Sequence, residues 1–210
     1  IWSHSYDAPY KGFGYTAGPR ASVLVNDGRA YSLGGAGHLC CLDASRGTVV
    51  WHHDMNATYK IRMPNWGISA APVIEQDLII TQIGGTGACV VALDKNTGEQ
   101  RWKALDDDAS YSAPIIIDQA GKRVLVVWTG ERIAGLDPMS GREYWSYDFK
   151  WEKWPIGIAT PVLHNNLLLI SGSHKGTLLL KIASDKLAVE RVWHRRKEDG
   201  DEPALHCLIS

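Results

Sequence analysis

Apolar segments of strand length alternate with polar turns along almost the whole chain, and the pattern occurs four times. Each period opens with small residues and a proline or serine that lead into a first apolar strand; these segments are 21–25, 71–75, 113–117 and 160–164. A second apolar strand follows a polar turn, a third follows a glycine turn, and a fourth ends on tryptophan. Short segments rich in Val, Ile and Leu and bounded by Gly, Asn and Asp predict antiparallel hairpins. No stretch has a convincing helical period, so the pattern predicts an all-β protein.

A longer motif closes each period. It reads small residue, Leu-Asp, three variable residues, Gly, three more residues and Trp, and it occupies 41–51, 92–102 and 135–145. A weaker copy, in which Ala183 aligns with the small residue, ends at Trp193 and lacks the turn glycine. The tryptophans that end successive motifs, counted from Trp2, are 43 to 51 residues apart. This period suits a four-stranded propeller blade.

The repeats predict a single β-propeller segment over 1–210, with about four blades of four antiparallel strands. The blades are expected at roughly 3–51, 52–102, 103–145 and 146–193, and 194–210 is expected to start a further blade. Trp2 closes a motif whose beginning lies outside the chain, so blades are expected to be missing on both sides. An open set of blades leaves an apolar face unpaired. We therefore expect the chain to pair with a second copy or with its missing part, or to close as a tight four-bladed ring.

Each motif position has a mechanical reason. The turn glycines favour positive φ, and the aspartates can bond turn N–H groups through their side chains. The tryptophan supplies a flat apolar face that a blade must dock on its neighbour. The glycines are Gly47, Gly98 and Gly141, and the aspartates are Asp43, Asp94 and Asp137.

These motifs resemble the tryptophan-docking motif of pyrroloquinoline-quinone (PQQ) repeat proteins, Ala-x-Asp-x-x-x-Gly-Lys-x-x-Trp, over nearly the whole chain. That family includes quinoprotein alcohol dehydrogenases, the outer-membrane assembly lipoprotein of the β-barrel machinery, and many bacterial repeat proteins. The resemblance implies a ring of seven or eight blades and a periplasmic or extracytoplasmic location. It also implies that a tryptophan of one blade packs on the motif turn of the next, which would make interblade residues of Trp51, Trp102, Trp145 and Trp193. The sequence departs from the motif at the lysine position, which holds Thr48, Glu99 and Arg142.

Composition and hydropathy give no indication of nucleic-acid binding or of membrane insertion. The chain has 22 Lys+Arg against 23 Asp+Glu, which gives no reason to expect nucleic acid as a partner. No apolar run approaches the roughly 18 residues of a membrane helix, so no membrane insertion is expected.

Cys40 and Cys41 are adjacent, as are the two cysteines of the vicinal disulfide that packs against the PQQ ring in quinoprotein alcohol dehydrogenases. Here Cys41 fills the small-residue position of a strand motif, and neighbours in a strand point to opposite faces. We expect two unlinked cysteines that contact no cofactor. His52 and His53 diverge for the same reason, so we expect a solvated strand end and no metal site.

The connections that lead into the innermost strands carry aromatic residues interleaved with Lys and Arg. The candidate residues of this axial mouth are Arg20, Lys60, Arg62, Trp66, Tyr111, Lys153 and Trp154. They could bind an anionic or ring-shaped ligand. The alternative is that the aromatic residues pack and the basic ones are solvated.

Two functional classes remain. The first is a non-catalytic propeller scaffold that binds a protein or small ligand at the axial mouth, with no cofactor. The alternative, implied by the resemblance, is a fragment of a quinoprotein alcohol dehydrogenase that uses PQQ and calcium. Acidic residues in the mouth connections are few, and none matches that enzyme's calcium or base motif, so we favour the non-enzyme. Its expected partners are the remaining blades of the parent protein, a second copy of the chain, or another protein.

Overall fold

The computed structural model describes residues 1–8, 10, 12–14, 18–151, 157–172 and 175–196. These residues form four sheets, each of four antiparallel strands that pair in chain order. The all-β prediction and the prediction of about four propeller blades are confirmed. The chain forms two compact units, Ile1–Ala109 and Ser110–Ser210, each with two of the sheets and a core of its own.

The first unit contains two sheets and one short helix. The first sheet comprises β1 (Leu24–Asn26), β2 (Arg29–Leu33), β3 (His38–Asp43) and β4 (Val49–Asp54). The helix α1 (Met55–Tyr59) follows it. The second sheet comprises β5 (Val73–Glu75), β6 (Leu78–Gly85), β7 (Ala88–Asp94) and β8 (Gln100–Ala104).

The second unit repeats the arrangement. Its first sheet comprises β9 (Ile115–Gln119), β10 (Lys122–Trp128), β11 (Arg132–Leu136) and β12 (Glu143–Asp148). Its second sheet comprises β13 (Val162–His164), β14 (Leu167–Gly172), β15 (Gly176–Ile182) and β16 (Val189–Arg195). No helix in the described ranges is long and apolar enough to cross a membrane.

Each unit has a core between the facing surfaces of its two sheets. In the first unit Tyr31, Leu39 and Trp51 pack with Ile79 and Val91 of the second sheet. The middle strands β6 and β7 are buried along their whole length, which accounts for their nearly continuous apolar sequence. In the second unit an equivalent core joins the two sheets through residues such as Val126, Trp128, Leu168 and Leu178.

The outer strand of every blade contains a β-bulge directly before the motif tryptophan. Cys41 pairs with Trp51 while Leu42 pairs with Val49, so Val50 is left out of the ladder. The same shift leaves out the residue before Trp102, Trp145 and Trp193. The sequence predicts an outer strand that ends on the tryptophan, whereas each strand continues two or three residues beyond it.

The fourth motif differs from the alignment made on sequence alone. Ala183 does not lie opposite the tryptophan; its N–H bonds the carbonyl of Ala188, which is the position that the motif aspartates take in the other turns. Leu179 lies opposite Trp193. The bulge lies two pairs farther from the turn than in the other blades, and Trp193 is displaced with it. Composition alone could not locate this bulge, because the same small and apolar residues fit either register.

Candidate functional site

The motif turn is organised by the aspartate side chain. Asp94 Oδ1 accepts hydrogen bonds from the backbone N–H of Asn96 at 2.8 Å and of Thr97 at 3.0 Å. Its Oδ2 accepts from Arg101 Nη2 at 2.7 Å. The Arg101 guanidinium, followed by these N–H groups, lowers the pKa of Asp94 to about 2. Carboxylates that accept several hydrogen bonds in the charged form behave this way.

The bulge explains why Arg101 reaches Asp94. A bulged residue leaves the regular alternation of faces and re-aims its side chain. The same bulged position in β12 holds Tyr144, whose hydroxyl donates to Asp137 Oδ2 at 2.8 Å. In the first blade the position holds apolar Val50, and Asp43 instead accepts from Ser45 and Arg46 in its own turn.

Indole rings lie on the motif turns of the first unit. Trp51 Nε1 donates to the Lys95 carbonyl at 3.0 Å, and its ring lies over Gly98. A Cβ on Gly98 would come within 2.9 Å of the Trp51 ring, and the residue has φ of +77°, so glycine is required on two counts. Trp2 Nε1 makes the equivalent bond to the Ala44 carbonyl at 3.0 Å. That these contacts hold neighbouring blades together energetically stays a prediction.

In the second unit a glutamine mediates the equivalent contact. Trp145 Nε1 donates to Gln119 Oε1 at 2.8 Å. Gln119 Nε2 in turn donates to the carbonyls of Lys186 at 3.2 Å and Ala188 at 2.7 Å. This turn lacks the motif glycine. Sequence reasoning missed Gln119 because it lies in the innermost strand, more than twenty residues from its tryptophan.

Three axial-mouth candidates of the first unit, Lys60, Arg62 and Trp66, follow α1, whereas Arg20 precedes the first sheet. Asp54 caps this five-residue helix by accepting from Ala57 N at 2.8 Å. The helix ends at Tyr59, and its C-cap is Lys60, which is exposed and has a left-handed backbone with φ of +53°. Arg62 follows at the same edge and is also exposed.

Arg62 is committed to two carboxylates. Its Nε donates to Asp108 Oδ1 at 2.6 Å, its Nη1 to Asp106 Oδ1 at 3.0 Å, and its Nη2 to the Asp106 carbonyl at 2.7 Å. Asp106 Oδ1 also accepts from Gly87 N at 2.7 Å. The hydrogen bond from the Gly87 N–H lowers the pKa of Asp106 most, and the bond from Arg62 lowers it further. In return, the bond to Asp106 raises the pKa of Arg62. The charge of Arg62 is therefore compensated at the surface by two carboxylates of the same chain, which leaves a surface that carries both signs of charge.

The other mouth candidates are dispersed. Trp66 is half-buried against Gly14, whose N–H bonds the Asn65 carbonyl at 2.8 Å, and Arg20 is exposed. Tyr111, in the second unit, is buried, and its N–H bonds the Gly157 carbonyl at 2.8 Å. Lys153 and Trp154 lie outside the described residues. Among the described residues, Lys60 and Arg62 are both exposed and lie two positions apart in the chain, and a ligand role for the full set stays a prediction.

Cys40 and Cys41 face opposite sides of the first sheet. Cys40 packs with Ala30 and Leu42, whereas Cys41 belongs to the core around Tyr31. Both thiols are buried and free, and burial raises the pKa of Cys40 to about 11. This geometry does not fit a vicinal disulfide packed against a ring cofactor. Within the described ranges, no three His, Cys, Asp or Glu side chains converge as a metal site would need.

A contact between histidines was not predicted from sequence. His38 Nδ1 and His52 Nε2 lie 3.1 Å apart. His52 is exposed, as a solvated strand end would be, but it is not isolated. Locating this pair requires the register of β3 against β4, which places Cys40 opposite His52 and His38 on the same face.

Together, the paired strands and tryptophan-closed turns define the chain as part of a β-propeller. The family model PQQ_2, described as outer membrane protein assembly factor BamB, matches residues 1–206. The chain belongs to this PQQ-repeat family, which confirms the resemblance inferred from the motifs.

Two curated relatives are the quinoprotein ethanol dehydrogenases of Pseudomonas aeruginosa, at 30% identity, and Pseudomonas putida, at 29%. Each match extends over 166 residues, which is 70% of this chain but 25% of the relative. The chain thus spans about a quarter of the length of these relatives.

Among solved structures, BamB from Moraxella catarrhalis matches with a TM-score of 0.60 at 17% identity, covering 84% of this chain and 53% of that one. Quinohemoprotein alcohol dehydrogenase from Comamonas testosteroni matches with a TM-score of 0.59 at 16% identity, covering 82% and 35% respectively. At these identities the likeness shows the fold alone.

Proposed function

We propose that the chain is a non-catalytic propeller scaffold that binds a protein partner through the axial-mouth edge at Lys60 and Arg62. The observation that carries this proposal is the neutralisation of Arg62 by Asp106 and Asp108. An anionic small ligand needs an uncompensated cation, whereas a polar protein surface suits exposed groups of both signs. By family resemblance, we also propose that the scaffold acts outside the cytoplasm and needs no cofactor.

The second candidate is part of a PQQ- and calcium-dependent dehydrogenase, which the names of the curated relatives favour. Two features of this chain argue against it. The thiols of Cys40 and Cys41 point to opposite faces of their strand, and the Asp106 and Asp108 carboxylates are engaged by Arg62.

A binding assay separates the two candidates. PQQ and Ca²⁺ are added to the chain, and the quinone absorbance and alcohol-dependent dye reduction are followed. We expect neither to change from the value without protein. A saturable shift in quinone absorbance together with dye reduction by an alcohol would replace the scaffold proposal with the dehydrogenase.

Site-specific crosslinking tests the proposed surface. A photo-crosslinking residue is placed at Lys60 in the parent protein and in its native host. The matched control places it at Glu99, which is exposed on a motif turn. We expect a discrete protein adduct from position 60 that is absent from position 99. Equal adduct patterns at the two positions would rule out a partner surface at the mouth edge.

A further inference from the structure

The N-terminal segment, Trp2–Asp7, lies against the outer face of the first sheet. The Tyr6 ring packs on Ala30, Cys40 and Leu42, and its hydroxyl occupies the space that a side chain on residue 34 would need. Trp2 anchors the start of the segment through its bond to Ala44. The segment, the sheet face and residues such as Pro19 and Val23 line an open pocket of about 420 Å³.

The Tyr6 ring also contacts the histidine pair. Its centroid is 5.1 Å from that of His38 and 6.3 Å from that of His52. His4, two residues earlier, lies 6.0 Å from Tyr6 between ring centroids. The segment therefore brings a third imidazole toward the pair.

The two rings are oriented so that one proton can lie between the two nitrogens. The His38 and His52 ring planes differ by only 10°, but their centroids are 5.3 Å apart, too far for face-to-face contact. With the nitrogens 3.1 Å apart, the two lone-pair directions point at each other in the plane of the rings. A metal ion would instead need both lone pairs to converge on one point at an angle. The arrangement is thus an N–H···N hydrogen bond.

Such a bond tolerates one additional proton but not two. A neutral pair has one donor and one acceptor, and a single added proton makes the bond charge-assisted. When both rings are protonated, no acceptor nitrogen remains and two cations face each other. The charged or titratable groups that surround the pair are His4 and Tyr6 on the N-terminal segment, Cys40 on β3, and His53 and Asp54 on β4.

We propose that the His38–His52 pair is a proton-operated latch that holds the N-terminal segment on the first sheet at neutral pH and releases it in mild acid. Protonation of both rings removes their hydrogen bond and places positive charge beside Tyr6 and His4. The segment then leaves the face formed by Ala30, Cys40 and Leu42.

The direction of the pH dependence follows from the groups themselves. His52 is largely exposed, but partial desolvation of its ring and then the neighbouring His38 lower its pKa below the ordinary 6.5. Because the pKa of His52 is lowered in the docked state, its neutral form favours docking at pH values above the ordinary pKa. Docking becomes less favourable as the pH falls below that pKa. Asp54 opposes the shift, but its carboxylate is also engaged at the helix N-terminus. Release is therefore expected below pH 6.5.

Hydrogen exchange of the full chain tests the latch. Amide protection of residues 3–7 is measured from pH 7.5 to 4.5, corrected for intrinsic exchange rates. We expect the protection of residues 3–7 to fall about tenfold from pH 7.5 to 4.5. The protection of the β2 amides should not change, because a segment can open locally without global unfolding. His52→Gln, which can pair with His38 but cannot be protonated, should abolish the fall. His53→Gln, on the opposite face of β4, should retain it.

Two results would overturn the proposal. One is protection of residues 3–7 that is unchanged with pH in the wild type or falls equally in His52→Gln. The other is release at pH 7.5 on adding Zn²⁺, reversed by a chelator, which would make the pair a metal site.

Discussion

Trp145 and Gln119 are joined by a hydrogen bond in which the indole Nε1 donates to the side-chain Oε1 over 2.8 Å. Gln119 is buried, and its Nε2 donates hydrogen bonds to two turn carbonyls, those of Lys186 and Ala188. Gln119→Leu keeps the volume but leaves one buried donor and two acceptors without this partner, so we expect a loss of about 2–4 kcal/mol in unfolding free energy. Urea unfolding measures this change in free energy, and His164→Leu, at the exposed end of β13, is the control. Equal effects at the two positions would show that Gln119 is not a connector.

The docking tryptophans are expected to dominate stability. Trp51→Ala removes a buried ring and its bond to Lys95, and should cost about 3–5 kcal/mol. Trp66→Ala should cost much less, because Trp66 is half-buried in a connection. The same unfolding experiment on both variants decides the matter. Similar losses would mean that Trp66 is a core residue and not part of the mouth.

Asp94 should make the fold sensitive to acid. Its pKa of about 2 lies below the ordinary 3.8, so it stabilises the fold above about pH 4 and this contribution is lost as pH falls toward 2. Urea midpoints between pH 5 and 2 should show this loss in the wild type and not in Asp94→Asn. Arg101→Gln, which removes the main cause of the lowered pKa, should make the loss smaller and complete it at a higher pH. A midpoint curve for Asp94→Asn that parallels the wild type would contradict the assignment.

Cys40 and Cys41 should stay reduced in the purified protein. Their side chains lie on opposite faces of β3, and the raised pKa of Cys40 leaves little thiolate for oxidation at neutral pH. Intact mass with and without reductant should therefore agree. A mass lower by two hydrogens that dithiothreitol restores, mapped to peptide 40–41, would reverse this prediction and favour the dehydrogenase.

The repeat made most of the fold predictable. The spacing of Asp94, Gly98 and Trp102 recurs at fixed register, and each position follows from turn geometry or packing. The fourth motif failed because register there depends on the position of a bulge. Ala183 fits the small-residue position by type, yet the bulge before Trp193 places Leu179 opposite the ring.

The candidate site was less predictable for a related reason. Arg62 and Lys60 were found from their place before an inner strand. The neutralisation of Arg62 depends on a connection more than forty residues away, which carries Asp106. His38 and His52 likewise meet only once two strands are paired. Local patterns specify strands and turns, whereas charge pairing across strands depends on their alignment.

The bulge before each tryptophan also affects how the protein behaves at high concentration. The outer strands β4, β8, β12 and β16 are sheet edges, and a straight edge offers its unpaired backbone groups to a strand of another molecule. A bulge twists that edge and interrupts its hydrogen-bonding register. Charged residues lie at the bulge or beside it: Arg101 is the bulged residue of β8, and Glu143 and Arg191 directly precede the bulged residues of β12 and β16. The device that positions the tryptophan for packing thus also protects the rim of the blades against fibril-like association.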